Sequence, residues 1–294
     1  MLFAAIDIGS NAGRLLIANV YNVNNIISIE KESLVRVPLR LGNDTFINGK
    51  IGESKIEDII NSFKSFAYLL KVYKPVAFKA CATSAMREAS NSDEVIDRVF
   101  KETGIQIHII DGDDEAKYVF ANHSSKQDPK TQYVYIDVGG GSTEITIVYN
   151  NKQIATHSFK IGTIRSINDA EMDEEFSRMK KFIKSNTDKY FPIECVGSGG
   201  NINKLSNVFS EKGKNTLSYQ QLKKALDYLS SFTLEERIIK VGLRPDRADV
   251  IIPAAKIYLK AMKWAEADII QVPKIGLADG IIHELYDKVV KGIR

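Results

Sequence analysis

Apolar residues recur at helical spacing in one long segment of the first half of the chain. Within residues 53–70, Ile56, Ile59, Ile60 and Phe63 follow the i, i+3, i+4, i+7 pattern that places them on one face of a helix. Polar residues fill the positions between them. This alternation predicts an amphipathic α-helix that packs one side against a core.

Short β-branched and aromatic runs alternate with further helical patterns along the rest of the chain. Capping residues and glycines mark several ends, such as Ser92 before one helix and Gly104 after it. This alternation predicts an α/β fold, with residues 160–250 mostly helical. The predicted elements are strands over 76–83, 105–110 and 267–272 and helices over 92–103, 113–122, 247–262 and 276–290.

One pattern occurs twice, at an offset of 130 residues. "IDIGSNAGRLLI" at 6–17 and "IDVGGGSTEITI" at 136–147 each predict a strand, a tight turn and a second strand, and a third β-rich stretch follows each copy. The repeat predicts two similar domains, 1–125 and 126–294, with a helical insert in the second. A ligand cleft between them is the expected consequence.

Composition narrows the class of protein. The 294 residues, 44% of them hydrophobic and 26% charged, exclude wholesale disorder, and a net charge of +3 argues against a dedicated duplex-DNA binder. Cys81 and Cys195 are far apart and form no CxxC pair, which favours a reducing compartment. We found neither a signal peptide nor an apolar run of membrane-spanning length. We therefore expect a cytoplasmic protein with no membrane or nucleic-acid partner.

Three glycine-rich turns could expose successive backbone N–H groups to an anion: residues 9–11, 139–142 and 197–201. A single such turn is more often only structural. Two of them are related by the repeat, and each follows an aspartate at a strand end, Asp7 or Asp137, which favours phosphate binding. Paired carboxylates beside phosphate loops suit Mg²⁺. The alternative is that each aspartate merely caps its own turn.

Six motifs, taken in order and spacing, resemble the exopolyphosphatase / guanosine pentaphosphate phosphohydrolase family over residues 2 to about 290. That family belongs to the actin, Hsp70 and sugar-kinase (ASKHA) superfamily. The resemblance therefore implies two actin-like, ribonuclease H-like domains with the active site in the cleft between them, and it suggests a homodimer. The motifs are "AAIDIGSNAGRLLI", "ATSAMREA", "IIDGDDEAKYVF", "YIDVGGGSTE", "VGSGGNINKL" and "RADVI".

The resemblance assigns roles to particular residues. Glu115 matches the family's catalytic glutamate, which acts as a general base on the attacking water, and Glu144 matches a glutamate that holds metal or that water. Together with Asp7 and Asp137, Glu144 is expected to bind Mg²⁺. Arg87 has the planar fork that suits phosphate oxygens. The other expected phosphate-binding residues are Ser10, Asn11 and Arg14 in the first loop, Gly139, Gly140, Gly141 and Ser142 in the second, and Gly199 and Gly200 in the third.

The expected reaction is release of terminal orthophosphate from inorganic polyphosphate, guanosine pentaphosphate or both. Two alternatives stay open: an ATP-dependent small-molecule kinase of the same superfamily, and a sensor that binds polyphosphate or guanosine penta- or tetraphosphate without turnover. The chain departs from the family's common pattern at Ala12, at Asp114, at the third loop and in "GLADG" at 276–280. These changes concern phosphate contacts and substrate length more than the water-activating Glu115.

Overall fold

A computed structural model describes residues 1–24, 26–121, 128–165, 168–188 and 191–292. The chain divides into unit 1, which comprises Met1–Asn122 and Gly276–Arg294, and unit 2, His123–Ile275.

The strands are β1 (Leu2–Ile8), β2 (Gly13–Val23), β3 (Ile26–Val37), β4 (Ala77–Ala82), β5 (Ile107–Ile109), β6 (Gln132–Val138), β7 (Thr143–Tyr149), β8 (Lys152–Phe159), β9 (Ile193–Ser198), β10 (Thr216–Ser218) and β11 (Ile269–Gln271). The helices are α1 (Leu41–Asn48), α2 (Glu53–Tyr73), α3 (Ser84–Glu88), α4 (Ser92–Thr103), α5 (Gly112–Ala121), α6 (Asp169–Asn186), α7 (Gly200–Phe209), α8 (Tyr219–Ser230), α9 (Leu234–Val241), α10 (Pro245–Ala248), α11 (Ile251–Ala265) and α12 (Leu277–Lys291).

Unit 1 is built on a sheet with the strand order β3-β2-β1-β4-β5. The first three strands are antiparallel, and β4 and β5 run parallel to β1. The predicted helix is α2, whose Ile56, Ile59 and Phe63 are buried in the core on one face of the sheet. This order of three antiparallel strands followed by two parallel ones is the actin-like topology that we expected.

Unit 2 repeats this order in β8-β7-β6-β9-β11 and adds β10 at the edge beyond β11. Again the first three strands are antiparallel, while β9 and β11 run parallel to β6. The predicted duplication is therefore present in the backbone. The largely helical stretch expected over 160–250 contains α6 to α10, and capping boxes at Ser218 and Thr233 begin α8 and α9.

The C-terminal helix departs from the expected domain limits. We expected residues 126–294 to form the second domain, whereas Gly276–Arg294 belong to unit 1. The reason is apolar packing, because Ile281 and Ile282 of α12 join Phe3 and Leu16 in a buried cluster on the second face of the unit 1 sheet. Within the described part of the chain, no helix has the length and apolarity to span a bilayer.

Candidate active site

The first two glycine turns have the same geometry. In unit 1 the N–H of Gly9 donates to the carbonyl of Ala12 at 3.1 Å, and in unit 2 the N–H of Gly139 donates to the carbonyl of Ser142 at 3.0 Å. Each turn joins the first strand of its unit to the second. The equivalence predicted from the repeat is confirmed at the level of individual hydrogen bonds.

The aspartates before these turns are also equivalent, but they face different partners. Asp7 lies opposite Arg14 in the strand register, and Asp137 lies opposite Glu144. Arg14 Nη1 is 2.9 Å from Asp7 Oδ2. Burial raises the pKa of Asp7, and the charge of Arg14 opposes that shift. Asp7 is thus held in an ion pair, and its role as a metal ligand stays a prediction.

Four polar residues form a row across the sheet of unit 2. Ser158 on β8, Glu144 on β7, Asp137 on β6 and Ser198 on β9 are register partners in turn, so their side chains share one face. Ser158 Oγ donates a 2.7 Å hydrogen bond to Glu144 Oε1. Ser198 Oγ is buried and makes no hydrogen bond with the described residues. The row thus presents two carboxylates and two hydroxyls, which are hard oxygen donors.

The donor set in this row suits a hard divalent cation. In the described segments, no group of three or more His, Cys, Asp and Glu side chains is placed to hold a metal. Mg²⁺ commonly takes one or two carboxylates and completes its shell with waters and substrate phosphates. Asp137 and Glu144 match that requirement.

The third glycine turn lies directly beside this row. Gly199 has φ +101°, and a Cβ placed on it would be 3.1 Å from Asp137 Oδ1. The hydroxyl of buried Tyr258 donates to the carbonyl of Ser198. Burial, followed by the negative charge of Asp137, raises the pKa of Tyr258 well above its usual range, so this hydroxyl stays a donor. Arg247 Nη1 donates to the carbonyl of Gly200 at 2.7 Å.

The first turn is attached to the "TSAMREA" motif in unit 1. Ser10 Oγ and Ser84 Oγ are 2.9 Å apart and both side chains are buried. The N–H of Thr83 donates to the carbonyl of Ile8 at 3.1 Å. Helix α3 therefore begins next to the first turn, which brings together two motifs that are distant in sequence. Ser84 was not singled out from the sequence, where nothing links it to Ser10.

Arg87 is hydrogen-bonded to the segment that leads into α5, the helix that carries Glu115. Arg87 Nη1 donates to the carbonyl of Ile110 at 2.8 Å, immediately before that helix. Asp111 then caps α5, because its Oδ1 accepts the N–H of Asp114 at 2.7 Å and its carbonyl accepts that of Glu115 at 3.0 Å. Glu115 itself is buried, with 9% of its surface exposed. In this structure Arg87 fixes the turn that carries the glutamate, and its contact with phosphate stays a prediction.

One family model matches most of the chain. Residues 28–289 match the model of the Ppx/GppA phosphatase family. The chain belongs to the Ppx/GppA phosphatase family. The resemblance drawn from the six motifs is thereby confirmed.

Similarity to other proteins extends over the whole chain. A bifunctional 3-dehydroquinate synthase/phosphatase of Fusobacterium nucleatum is 31% identical over 92% of this chain, which spans 44% of that relative's length. Exopolyphosphatase 1 of Mycobacterium leprae is 23% identical, with 99% of this chain and 91% of that protein aligned. The crystal structure of a Ppx/GppA family member from Aquifex aeolicus superposes with a TM-score of 0.76 at 28% identity and covers 100% of this chain and 99% of its own.

Within this Ppx/GppA protein, the structure groups the predicted residues by unit. Unit 2 brings together the second and third glycine loops with the Asp137–Glu144 pair. Unit 1 brings the first loop to α3, and it places Arg87 at the turn before Glu115. The sequence reasoning missed Ser158, and it included Ser198 only as part of the third glycine-rich turn. Only the strand register, which depends on which strands pair, reveals them.

Proposed function

We propose that this protein is a Mg²⁺-dependent phosphohydrolase that releases terminal orthophosphate from inorganic polyphosphate, guanosine pentaphosphate or both. The observation that carries the proposal is the carboxylate pair Asp137–Glu144, placed in register between a glycine loop that ends β6 and a second one that follows β9. Anion-binding backbone and cation-binding carboxylates side by side are what phosphoryl transfer requires. Membership in a phosphatase family supports the same reaction.

The proposed site residues have three roles, which are metal binding, activation of water and phosphate binding. Asp137 and Glu144 would hold Mg²⁺, which when bound would neutralise phosphate charge, and the role of Asp7 as a further ligand stays a prediction. Glu115 accepts the proton of the water that attacks the terminal phosphorus, while the bond from that phosphorus to the bridging oxygen breaks. The products are orthophosphate and a chain shorter by one phosphate. The proposed phosphate-binding groups are Arg87, Ser10, Asn11 and Arg14, the second-loop residues Gly139, Gly140, Gly141 and Ser142, and Gly199 and Gly200.

The base assignment is tested by Glu115→Gln. Removing a general base is expected to lower phosphate release about 10²–10⁴-fold. The matched control is Asp114→Asn, because Asp114 is the adjacent acid but its carboxylate is exposed and paired with Lys117 at 2.7 Å. We expect the control to keep most of the activity. Full magnesium-dependent release by Glu115→Gln would show that the base is another group.

Substrate choice is tested by measuring phosphate release side by side on long polyphosphate, guanosine pentaphosphate and ATP, with and without Mg²⁺. We expect release from one or both of the first two. ATP consumption that requires a small-molecule acceptor would instead indicate a kinase, and tight binding without release over hours would indicate a sensor. A cytoplasmic location and a homodimer stay predictions, and size-exclusion chromatography with light scattering tests the dimer.

A further inference from the structure

A second segment of unit 2 contacts the second glycine loop along its carbonyl side. We call residues 161–165 the supporting segment. The N–H of Thr163 donates to the carbonyl of Gly139 at 3.1 Å, and the N–H groups of Ile164 and Arg165 donate to the carbonyl of Gly140 at 2.8 and 3.0 Å. The side-chain Nε of Arg165 donates to the carbonyl of Gly141. Three successive loop carbonyls are thus bound by residues 163–165.

Gly162 packs its backbone directly against the same loop. A Cβ on Gly162 would lie 2.2 Å from the carbonyl oxygen of Gly140 and 2.5 Å from the nitrogen of Gly141. Its φ lies outside the left-handed region that favours glycine. The close approach of the loop is therefore the reason that this position needs glycine.

Unit 1 has a related arrangement around the first loop, with two bound carbonyls. After β3, the N–H of Arg40 donates to the carbonyl of Asn11 and the N–H of Gly42 donates to the carbonyl of Ser10, both at 2.9 Å. In each unit the chain thus returns, after the third strand, to bind the carbonyls of the turn between the first two. The two units have different sequences at these positions, so the shared contacts belong to the architecture of the loop.

The carbonyl contacts determine where the loop's N–H groups point. A peptide unit is planar, and its C=O and its N–H point in opposite directions. Fixing the carbonyls of Gly139, Gly140 and Gly141 therefore fixes the N–H groups of Gly140, Gly141 and Ser142 on the other side of the loop. Among the described residues, the N–H groups of Gly140 and Gly141 donate to no hydrogen bond. Such a series of outward N–H groups suits an anion.

We propose that Gly162 and Arg165 are positioning residues for phosphate, which hold the second glycine loop so that its N–H groups converge on the anion. This inference rests on the proposed phosphohydrolase function, and it adds residues that the family motifs did not single out. Arg165 acts through the loop carbonyl. Gly162 acts by letting the loop backbone approach.

The test uses Gly162→Ala, Arg165→Ala and Arg165→Lys in the full chain. With inorganic tripolyphosphate as substrate, we expect KM to rise about tenfold or more in all three, since roughly 1.4 kcal/mol of lost binding is a factor of ten. Arg165→Lys separates positioning from charge, because lysine keeps the charge but lacks the Nε–H. A KM like that of the unmodified protein in Arg165→Lys would show that Arg165 acts by charge alone and would contradict the proposal.

A second readout does not depend on turnover. In ¹⁵N–¹H spectra of the unmodified protein, inorganic phosphate should shift the amide signals of Gly140 and Gly141, and the variants should need about ten times more phosphate for the same shift. Amide signals that do not respond to phosphate in the unmodified protein would overturn the inference even if hydrolysis is confirmed. Conversely, a normal response with no hydrolysis would refute only the proposed reaction.

Controls separate a positioning role from general destabilisation. Gly213→Asn replaces a glycine of unit 2 with φ +83° and no atom near its Cβ position, and Arg178→Ala removes an exposed arginine of α6. Both are expected to leave KM and the phosphate response unchanged. If the three test variants lower only the melting temperature, as the controls can, the supporting segment is purely structural and the proposal is wrong. Arg165→Ala removes only side-chain atoms, so it remains informative if Gly162→Ala fails to fold.

Discussion

Arg14 and Glu144 occupy the same position in the two units, each opposite the aspartate that precedes the glycine turn. In unit 1 this position places a guanidinium 2.9 Å from Asp7, whereas in unit 2 it places a second carboxylate beside Asp137. The exchange of one residue for its opposite charge gives the duplicated turns different preferences. In unit 1 the aspartate is thus held by a guanidinium, whereas in unit 2 two carboxylates lie side by side.

Removal of the Ser158 hydroxyl should weaken catalysis, because that hydroxyl donates a hydrogen bond to Glu144. A hydrogen bond to a charged group is worth about 1.5–3 kcal/mol, so Ser158→Ala should lower kcat/KM roughly 10–100-fold. In a Glu144→Gln background the same substitution should have little further effect, because its partner is already altered. Steady-state kinetics on tripolyphosphate at several Mg²⁺ concentrations measures both effects.

Thr156 provides the matched control for Ser158. Its hydroxyl lies 2.9 Å from that of Thr146 on the same two strands, two residues away from the Ser158–Glu144 pair. Thr156→Ala should lower stability slightly and leave the kinetics unchanged. If Ser158→Ala lowers kcat/KM by the same factor in the unmodified protein and in the Glu144→Gln variant, Ser158 does not act through the glutamate.

Substitution of Gly199 should lower kcat/KM by more than the accompanying loss of stability explains. At φ +101° and ψ 162° a side chain is strained, by about 1–3 kcal/mol, and the new Cβ would meet Asp137 Oδ1 at 3.1 Å. We expect Gly199→Ala to lose at least about tenfold in kcat/KM, the equivalent of about 1.4 kcal/mol. Gly213→Ala shares the positive φ without the contact, and it should lose stability only. A similar activity in both variants would argue against a site role for the third turn.

The Glu284 network of unit 1 predicts a dependence of stability on pH. Burial disfavours the charged carboxylate, but hydrogen bonds from Lys288, Tyr118 and Lys79 outweigh it and lower the pKa of Glu284 from 4.5 to about 2. Because the folded pKa is the lower one, the stabilisation is complete above about pH 4.5 and is lost as the pH falls towards 2. The difference in free energy of unfolding between the unmodified protein and Glu284→Gln should therefore shrink between neutral pH and about pH 3.

Urea unfolding at both pH values measures that difference. Glu57→Gln, at an exposed position of α2 outside the network, is the control for a glutamate substitution as such. A difference for Glu284→Gln that stays constant from neutral to acidic pH would show that the network does not stabilise the charged carboxylate.

The packing of α12 on the unit 1 sheet predicts a large effect for one substitution. Ile281 is fully buried in the cluster that includes Phe3 and Leu16, so Ile281→Ala should cost about 2–5 kcal/mol. Val290 lies on the same helix with 57% of its surface exposed, and Val290→Ala should change the free energy of unfolding by less than about 0.5 kcal/mol. Denaturant unfolding compares the two, and similar small values would contradict the assignment of α12 to the core.

Local patterns predicted the elements of the fold well. The periodicity of 53–70 gave α2 with its end three residues short, and the β-rich stretch predicted after the second copy of the repeat is β8 at Lys152–Phe159. Gly104 ends α4 in the left-handed conformation that glycine adopts readily. These features depend on residues that are close in sequence, so the sequence displays them directly.

The missed features depend on contacts between distant segments. The sequence contains nothing that pairs Ser158 with Glu144, because that contact requires both the β7–β8 pairing and its register. Helix α12 belongs to unit 1 because it covers an apolar face of that sheet, and this face exists only once the sheet has folded. The glycine turns are visible in the sequence, whereas the residues that bind the carbonyls of the second turn lie some 20 residues further along the chain.

The discontinuity of unit 1 has a consequence for the order in which the protein is made. The ribosome produces the sheet of unit 1 first, then all of His123–Ile275, and only then the helix that covers Phe3 and Leu16. At about 5–20 residues per second, that delay is roughly 8–30 s. Unit 2, being continuous, can complete its core during this interval. The sheet that is made first therefore belongs to the unit whose core can be completed only after the last segment is made.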